Sequence, residues 1–127
     1  MSCALPPWVW PAAAYVHIPF CAHHCGYCDF AVAVAKDHLR EEYLQALAHE
    51  LSTLGQPQAV QTLFFGGGTP SQLTARQLAT LLDAALRWLP LESGHEFSLE
   101  ANPNSLDDEK MRVLADRGVN RISLGVQ

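Results

Sequence analysis

Apolar residues recur along this chain in two alternating rhythms. Short compact runs at residues 13–20 (AAYVHIPF), 59–65 (AVQTLFF), 96–101 (EFSLEA) and 120–127 (NRISLGVQ) read as strands. Between them lie longer segments with helical spacing. Leu39, Tyr43, Leu47, Leu51 and Leu54 recur every three or four positions ahead of Gly55 and Pro57, the stop signals of a first helix. Thr74 and Gln77 have capping-box spacing at the head of a second helix, whose buried stripe is Leu78, Leu81, Leu82, Ala85 and Leu89. Ser105 and Asp108 are candidate caps for a third, which carries Leu106, Met111 and Leu114 and stops at Gly118.

Strands alternating with helices predict an α/β fold in which parallel strands are joined by right-handed crossovers. Residues 1–12 read as an N-terminal tail and residues 13–127 as the folded core. A fourth strand with no helix behind it would leave a sheet edge uncovered, so the core is expected to be the N-terminal part of a partial (β/α) barrel, incomplete at its C-terminus.

With 127 residues and a hydrophobic fraction of 49%, the chain can bury one substantial core. Its net charge is −5, and no Lys/Arg run or basic aromatic stripe breaks the pattern, which argues against a nucleic-acid partner. The apolar first twenty residues contain no Lys or Arg and are interrupted by Pro6, Pro7, Pro11 and Pro19. That composition fits neither a secretory signal nor a membrane helix and predicts a cytoplasmic protein.

Three of the four cysteines, Cys21, Cys25 and Cys28, fall within eight residues, while Cys3 stands apart in the tail with no expected role. This clustering suggests a metal or redox site rather than a disulfide framework. Three thiolates can hold a [4Fe-4S] cluster and leave one iron open to a small molecule. A zinc site would need His17, His23 or His24 as a fourth ligand, and a loop without metal is the third possibility. Of these histidines, His17 reads as a satisfied strand residue and His23 and His24 as exposed loop residues.

The other unusual pieces also fall at predicted strand ends, where ligands bind in parallel α/β sheets. Gly66, Gly67 and Gly68 follow the second strand without G-x-G-x-x-G or P-loop spacing, so alone they read as a tight connection. Glu100 ends the third strand and Gln127 the fourth, each either a polar ligand contact or a solvated strand end.

Taken together, C-x3-C-x2-C with Tyr27 before its last cysteine, FFGGGTPS, SLEANP and NRISLGVQ resemble the radical S-adenosylmethionine (SAM) superfamily. Within it, YVHIPFC and CDF are most similar to the coproporphyrinogen-oxidase-related group and its heme-chaperone branch. The resemblance runs from Tyr15 to Gln127. It implies that Cys21, Cys25 and Cys28 hold a [4Fe-4S] cluster whose open iron is chelated by SAM, which an electron from the cluster would cleave to a 5′-deoxyadenosyl radical. It further implies that Tyr15 and Tyr27 flank SAM, that Gly67, Gly68 and Thr69 lie along its methionine part, and that Glu100 and Gln127 bind its polar groups. A chaperone of this branch would take heme as cargo and pass it to client proteins, touching a membrane only through a client. The oxygen-independent coproporphyrinogen III oxidase has a further cysteine two residues after the third cluster cysteine, and here that position is Phe30. The departure favours heme trafficking, with the oxidase as the alternative and a zinc-binding structural module as the second alternative.

Overall fold

A computed structural model describes residues 12–22, 26, 28 and 31–126. The tail and most of the cysteine loop, including Cys3, His23, His24, Cys25, Tyr27, Asp29 and Phe30, lie outside the described residues, as does Gln127. Its principal sheet has four parallel strands: β1 (Ala13–Ile18), β4 (Val60–Gly67), β5 (Leu91–Ala101) and β6 (Arg121–Leu124), neighbours in that order. A pair of two-residue strands, β2 (Phe20–Cys21) and β3 (Ala33–Val34), forms a second small parallel sheet. The helices are α1 (Arg40–Ser52), α2 (Ala75–Trp88) and α3 (Asp108–Asp116).

Strand order follows chain order, and α1 packs on α2 and α2 on α3. Crossovers of one hand between neighbours placed always on the same side put every helix on one face of the sheet. That is the winding of a barrel segment, as the alternation of elements predicted.

Val16 and Ile18 of β1, Leu63 and Phe65 of β4, and Phe97, Leu99 and Ala101 of β5 point to the helical face and are buried. Leu78, Leu81, Leu82 and Ala85 of α2, almost wholly buried, cover them, with Leu44 and Leu51 of α1 and Leu114 of α3 on either side. Edge-to-face contact between Phe65 and Phe97, centroids 5.4 Å apart, locks the centre of this layer.

Local signals explain most element ends. Thr74 Oγ1 accepts from the Gln77 amide at 3.1 Å and the Gln77 side chain accepts from the Thr74 amide at 3.0 Å, completing the expected capping box. The cap of α3 is Asp107, whose carboxylate accepts from the Lys110 amide at 2.8 Å, rather than Ser105 or Asp108. Ser105 instead closes the 3-10 turn Pro103–Ser105, and Asp108 is already the first helical residue.

Three further details differ from expectation. β5 begins at Leu91, five residues early, because Val60 pairs with Leu91 and Thr62 with Glu96, so the polar stretch 92–95 bulges out between two ladder contacts. In α1 the innermost side chains are Leu44 and Leu51, whereas Leu39 and Leu54 at the ends of the predicted stripe are 38% and 42% exposed. Met111 of α3 is likewise exposed.

Candidate functional site

The side chains opposite the helical face are not those of an ordinary buried parallel sheet. Tyr15, His17, Phe64, Ser98 and Glu100 alternate with the core residues along β1, β4 and β5, giving the sheet a polar and aromatic second face. Cross-strand register sets them in two rows. Tyr15 pairs with Phe64 and Phe64 with Ser98; one step toward the strand ends, His17 pairs with Gly66.

Tyr15 stacks on Phe64 with centroids 5.8 Å apart and planes 18° from parallel, yet remains 54% exposed. Its hydroxyl lies 3.1 Å from His17 Nδ1, and His17 Nε2 lies 2.7 Å from the Ala31 carbonyl. A carbonyl can only accept, so Nε2 carries the proton and Nδ1 accepts from Tyr15. His17 is thus a satisfied strand histidine, as its sequence position suggested. Burial raises the Tyr15 hydroxyl pKa, and the Glu100 carboxylate raises it further.

The glycine triplet ends β4 under tight constraint. A Cβ on Gly67, whose φ is +112°, would lie 2.5 Å from the His17 ring. One on Gly68 would lie 2.7 Å from the Pro19 carbonyl and Phe20 oxygen. Bare backbone lets the Gly68 amide donate to Ile18 O at 2.6 Å and the Thr69 amide to Phe20 O at 2.7 Å, fastening the β4 end to the base of the cysteine loop. The Glu100 carboxylate reaches over Gly66 and accepts from the Gly67 amide at 3.3 Å.

Cys21 sits on β2 and Cys28 seven residues later, both half-buried. Pairing of β2 with β3, anchored by the Ala33 amide on Pro19 O at 2.7 Å, brings the two limbs of the loop together. Cys21 Sγ is 3.9 Å from Thr69 Oγ1, and Asn102 Nδ2 is 3.5 Å from the same oxygen. Asn102 in turn is tied down by its amide on Ser71 Oγ at 3.1 Å, and Ser71 Oγ hydrogen-bonds Ser105 Oγ. Lys110 Nζ donates to the carbonyls of Ser71 and Ser105, both at 2.8 Å, bracing the loops after β4 and β5 against each other.

Of the residues singled out by sequence, Cys21, Gly67, Gly68, Thr69 and Glu100 therefore lie at or beside the carboxyl ends of their strands, Tyr15 lies mid-way along β1, and Cys28 is half-buried in the loop that follows β2. Cys25, Tyr27 and Gln127 lie outside the described residues. Phe64, Asn102, Ser71 and Lys110 belong to the same neighbourhood, and sequence reasoning passed over them. The alternation Tyr15, His17 and Ser98, Glu100 within otherwise apolar runs is the signal that marked a second working face. The two described thiols, Cys21 and Cys28, with a hydroxyl against the Cys21 sulfur, are donors of the kind an iron-sulfur group takes.

The profile of the Radical SAM superfamily matches residues 15–127. Two heme chaperones HemW are similar: that of Lactococcus lactis subsp. lactis (strain IL1403) is 49% identical over 117 residues, covering 92% of this chain and 31% of its own length. The Bacillus subtilis (strain 168) protein is 46% identical over 120 residues, covering 91% of this chain and 31% of its own. The solved structure of coproporphyrinogen III oxidase (HemN) from Escherichia coli, described as a radical SAM enzyme, superimposes with a TM-score of 0.81 at 32% identity. It covers 93% of this chain and 28% of the oxidase. The chain thus spans about a third of the length of the curated relatives it matches.

Proposed function

The chain belongs to the radical SAM superfamily, and on that premise we propose that it forms the N-terminal part of the core domain of a heme chaperone, from about residue 13 onward. The observation that carries the chaperone reading is the likeness to two HemW chaperones at 49% and 46% identity, against 32% for the oxidase. Phe30, where the oxidase has cysteine, supports the same choice.

Cys21, Cys25 and Cys28 would ligate a [4Fe-4S] cluster, and SAM would bind beside it. When bound, the pair supplies one-electron chemistry that belongs to the cofactor rather than to any side chain. The protein's own part is to bind and orient. Tyr15 and Tyr27 flank SAM, the backbone of Gly67, Gly68 and Thr69 follows its methionine part, and Glu100 and Gln127 accept or donate at its polar groups. The Glu100 carboxylate is already held in place by the Gly67 amide, so little side-chain freedom remains to be lost on binding. Heme is the cargo, a heme-receiving client protein the partner, and the cytoplasm the compartment. Among the described residues no helix is long and apolar enough to cross a membrane.

The structural likeness to the oxidase keeps that enzyme as the second reading. The full-length protein, loaded anaerobically with iron and sulfide and given SAM, reductant and coproporphyrinogen III, separates them. A chaperone yields no protoporphyrinogen IX and binds heme on titration; protoporphyrin fluorescence after the product has been oxidised in air would establish the oxidase instead.

A further inference from the structure

Thr69 was assigned above to SAM through its backbone, which leaves its side chain unexplained. The residue is 9% exposed, and its hydroxyl is turned toward the cysteine loop. Its hydroxyl meets two groups, Cys21 Sγ at 3.9 Å and Asn102 Nδ2 at 3.5 Å. An amide nitrogen only donates, so Asn102 occupies a lone pair of Thr69 Oγ1 and leaves the hydroxyl proton for another acceptor. A cysteine that ligates metal is a thiolate, and a thiolate only accepts. The hydroxyl proton is thereby directed at the Cys21 sulfur.

The main chain around this arrangement is held firmly. The Asn102 backbone N–H donates to Ser71 Oγ, Ser71 is bonded to Ser105, and Lys110 clamps the carbonyls of both serines. The Thr69 main chain is fixed by its amide on Phe20 O, one residue before Cys21, and by its carbonyl, which accepts from the Gln72 amide at 2.9 Å.

We propose that Thr69 is a positioning residue for the cluster, its hydroxyl donating to the Cys21 thiolate and Asn102 holding it in the donor orientation. Hydrogen bonds to cluster sulfurs stabilise the more negative, reduced state and so raise the reduction potential. Thr69 and Asn102 therefore set how readily the cluster accepts the electron it passes on. The inference rests on the cluster reading given above.

The test is an anaerobic potentiometric titration, followed by electron paramagnetic resonance, of the loaded full-length protein and its Thr69→Val, Thr69→Ser and Asn102→Ala variants, with iron and sulfide assayed in each. Thr69→Val keeps the hydrophobic volume and loses the donor. It is expected to retain the wild-type iron content yet hold about tenfold less reduced cluster at a fixed potential, a shift of about 59 mV for one electron. Thr69→Ser restores the wild-type value, and Asn102→Ala moves in the same direction as Thr69→Val by less. An unmoved midpoint in Thr69→Val, or an equal shift in Thr69→Ser, overturns the proposal while leaving the cluster reading intact. Should Thr69→Val fail to load, Asn102→Ala decides, and an unmoved midpoint there overturns it equally. A wild-type protein that takes up no iron removes the cluster reading and this inference with it, an outcome distinct from a loaded protein with unshifted variants.

Discussion

His17 Nε2 lies 2.7 Å from the Ala31 carbonyl, so a residue in the edge strand of the main sheet holds the outgoing limb of the cysteine loop fourteen residues later. The same ring lies under Gly67 and accepts from Tyr15. One imidazole thus connects the first strand, the glycine turn and the loop that carries the thiols.

Replacing His17 with Phe removes both hydrogen bonds, and because the Ala31 carbonyl is exposed and water can take the donor's place, the cost is at most about 1 kcal/mol. The expected consequence is local. Amide exchange at Ala33, whose N–H bonds Pro19 O, should accelerate more than exchange in α2. Uniform acceleration across the chain would mean that His17 serves the whole fold and not the loop.

Gly67→Ala should destabilise more than Gly94→Ala, although both glycines have positive φ. At Gly94 (φ +78°) an added methyl meets nothing within 4 Å, so only the backbone penalty of about 1–2 kcal/mol applies. At Gly67 (φ +112°) the methyl also collides with the His17 ring at 2.5 Å. Urea unfolding of the two variants gives the comparison directly, and equal losses would contradict the packing described here.

Tyr43 donates to the His17 carbonyl, and its hydroxyl pKa is pushed up to about 12 by burial first, with Glu50 and Tyr15 adding to the effect. An unfolded tyrosine ionises near 10, so the folded state holds this proton longer. The resulting stabilisation is complete below pH 10 and disappears as pH rises through about 12. Tyr43→Phe should cost about 1 kcal/mol at neutral pH and weaken the fall in stability between those pH values. An unchanged alkaline profile in the variant would place the titrating group elsewhere.

Cys25→Ala should abolish cluster assembly in the full-length protein, because two thiolates hold a [4Fe-4S] core poorly. Iron and sulfide assays after anaerobic loading read this out. Retention of the full complement would remove Cys25 from the ligand set.

Much of the architecture was written in periodicity. Leu78, Leu81, Leu82 and Ala85 recur at helical spacing because one helix face must cover the sheet, and all are buried as that spacing required. Where polar residues interrupt the rhythm, sequence reading faltered. The stretch 92–95 hides the start of β5 because a bulge lets Glu92, Ser93 and Gly94 face solvent. The two-residue strands β2 and β3 carry too few positions for any period, and only their parallel pairing, set by the fold around Pro19, reveals them.

The candidate site was legible where residue type is itself the chemistry, as with the cysteine spacing and the glycine triplet. It was not legible where a common residue acts through position. Asn102 and Lys110 matter because turns after β4 and β5 bring distant backbone carbonyls and hydroxyls within 2.8–3.5 Å, a juxtaposition that only the folded sheet creates. Likewise Phe64 reads as one more strand aromatic until register sets it beside Tyr15.

The central claim is that three thiolates leave one iron of a [4Fe-4S] cluster open for SAM. The most direct measurement is electron paramagnetic resonance of the reduced, fully loaded full-length protein before and after addition of SAM. The account predicts a [4Fe-4S] signal whose shape and position change when SAM binds. A signal indifferent to SAM, or a colourless protein holding zinc after anaerobic supply of iron and sulfide, would contradict it.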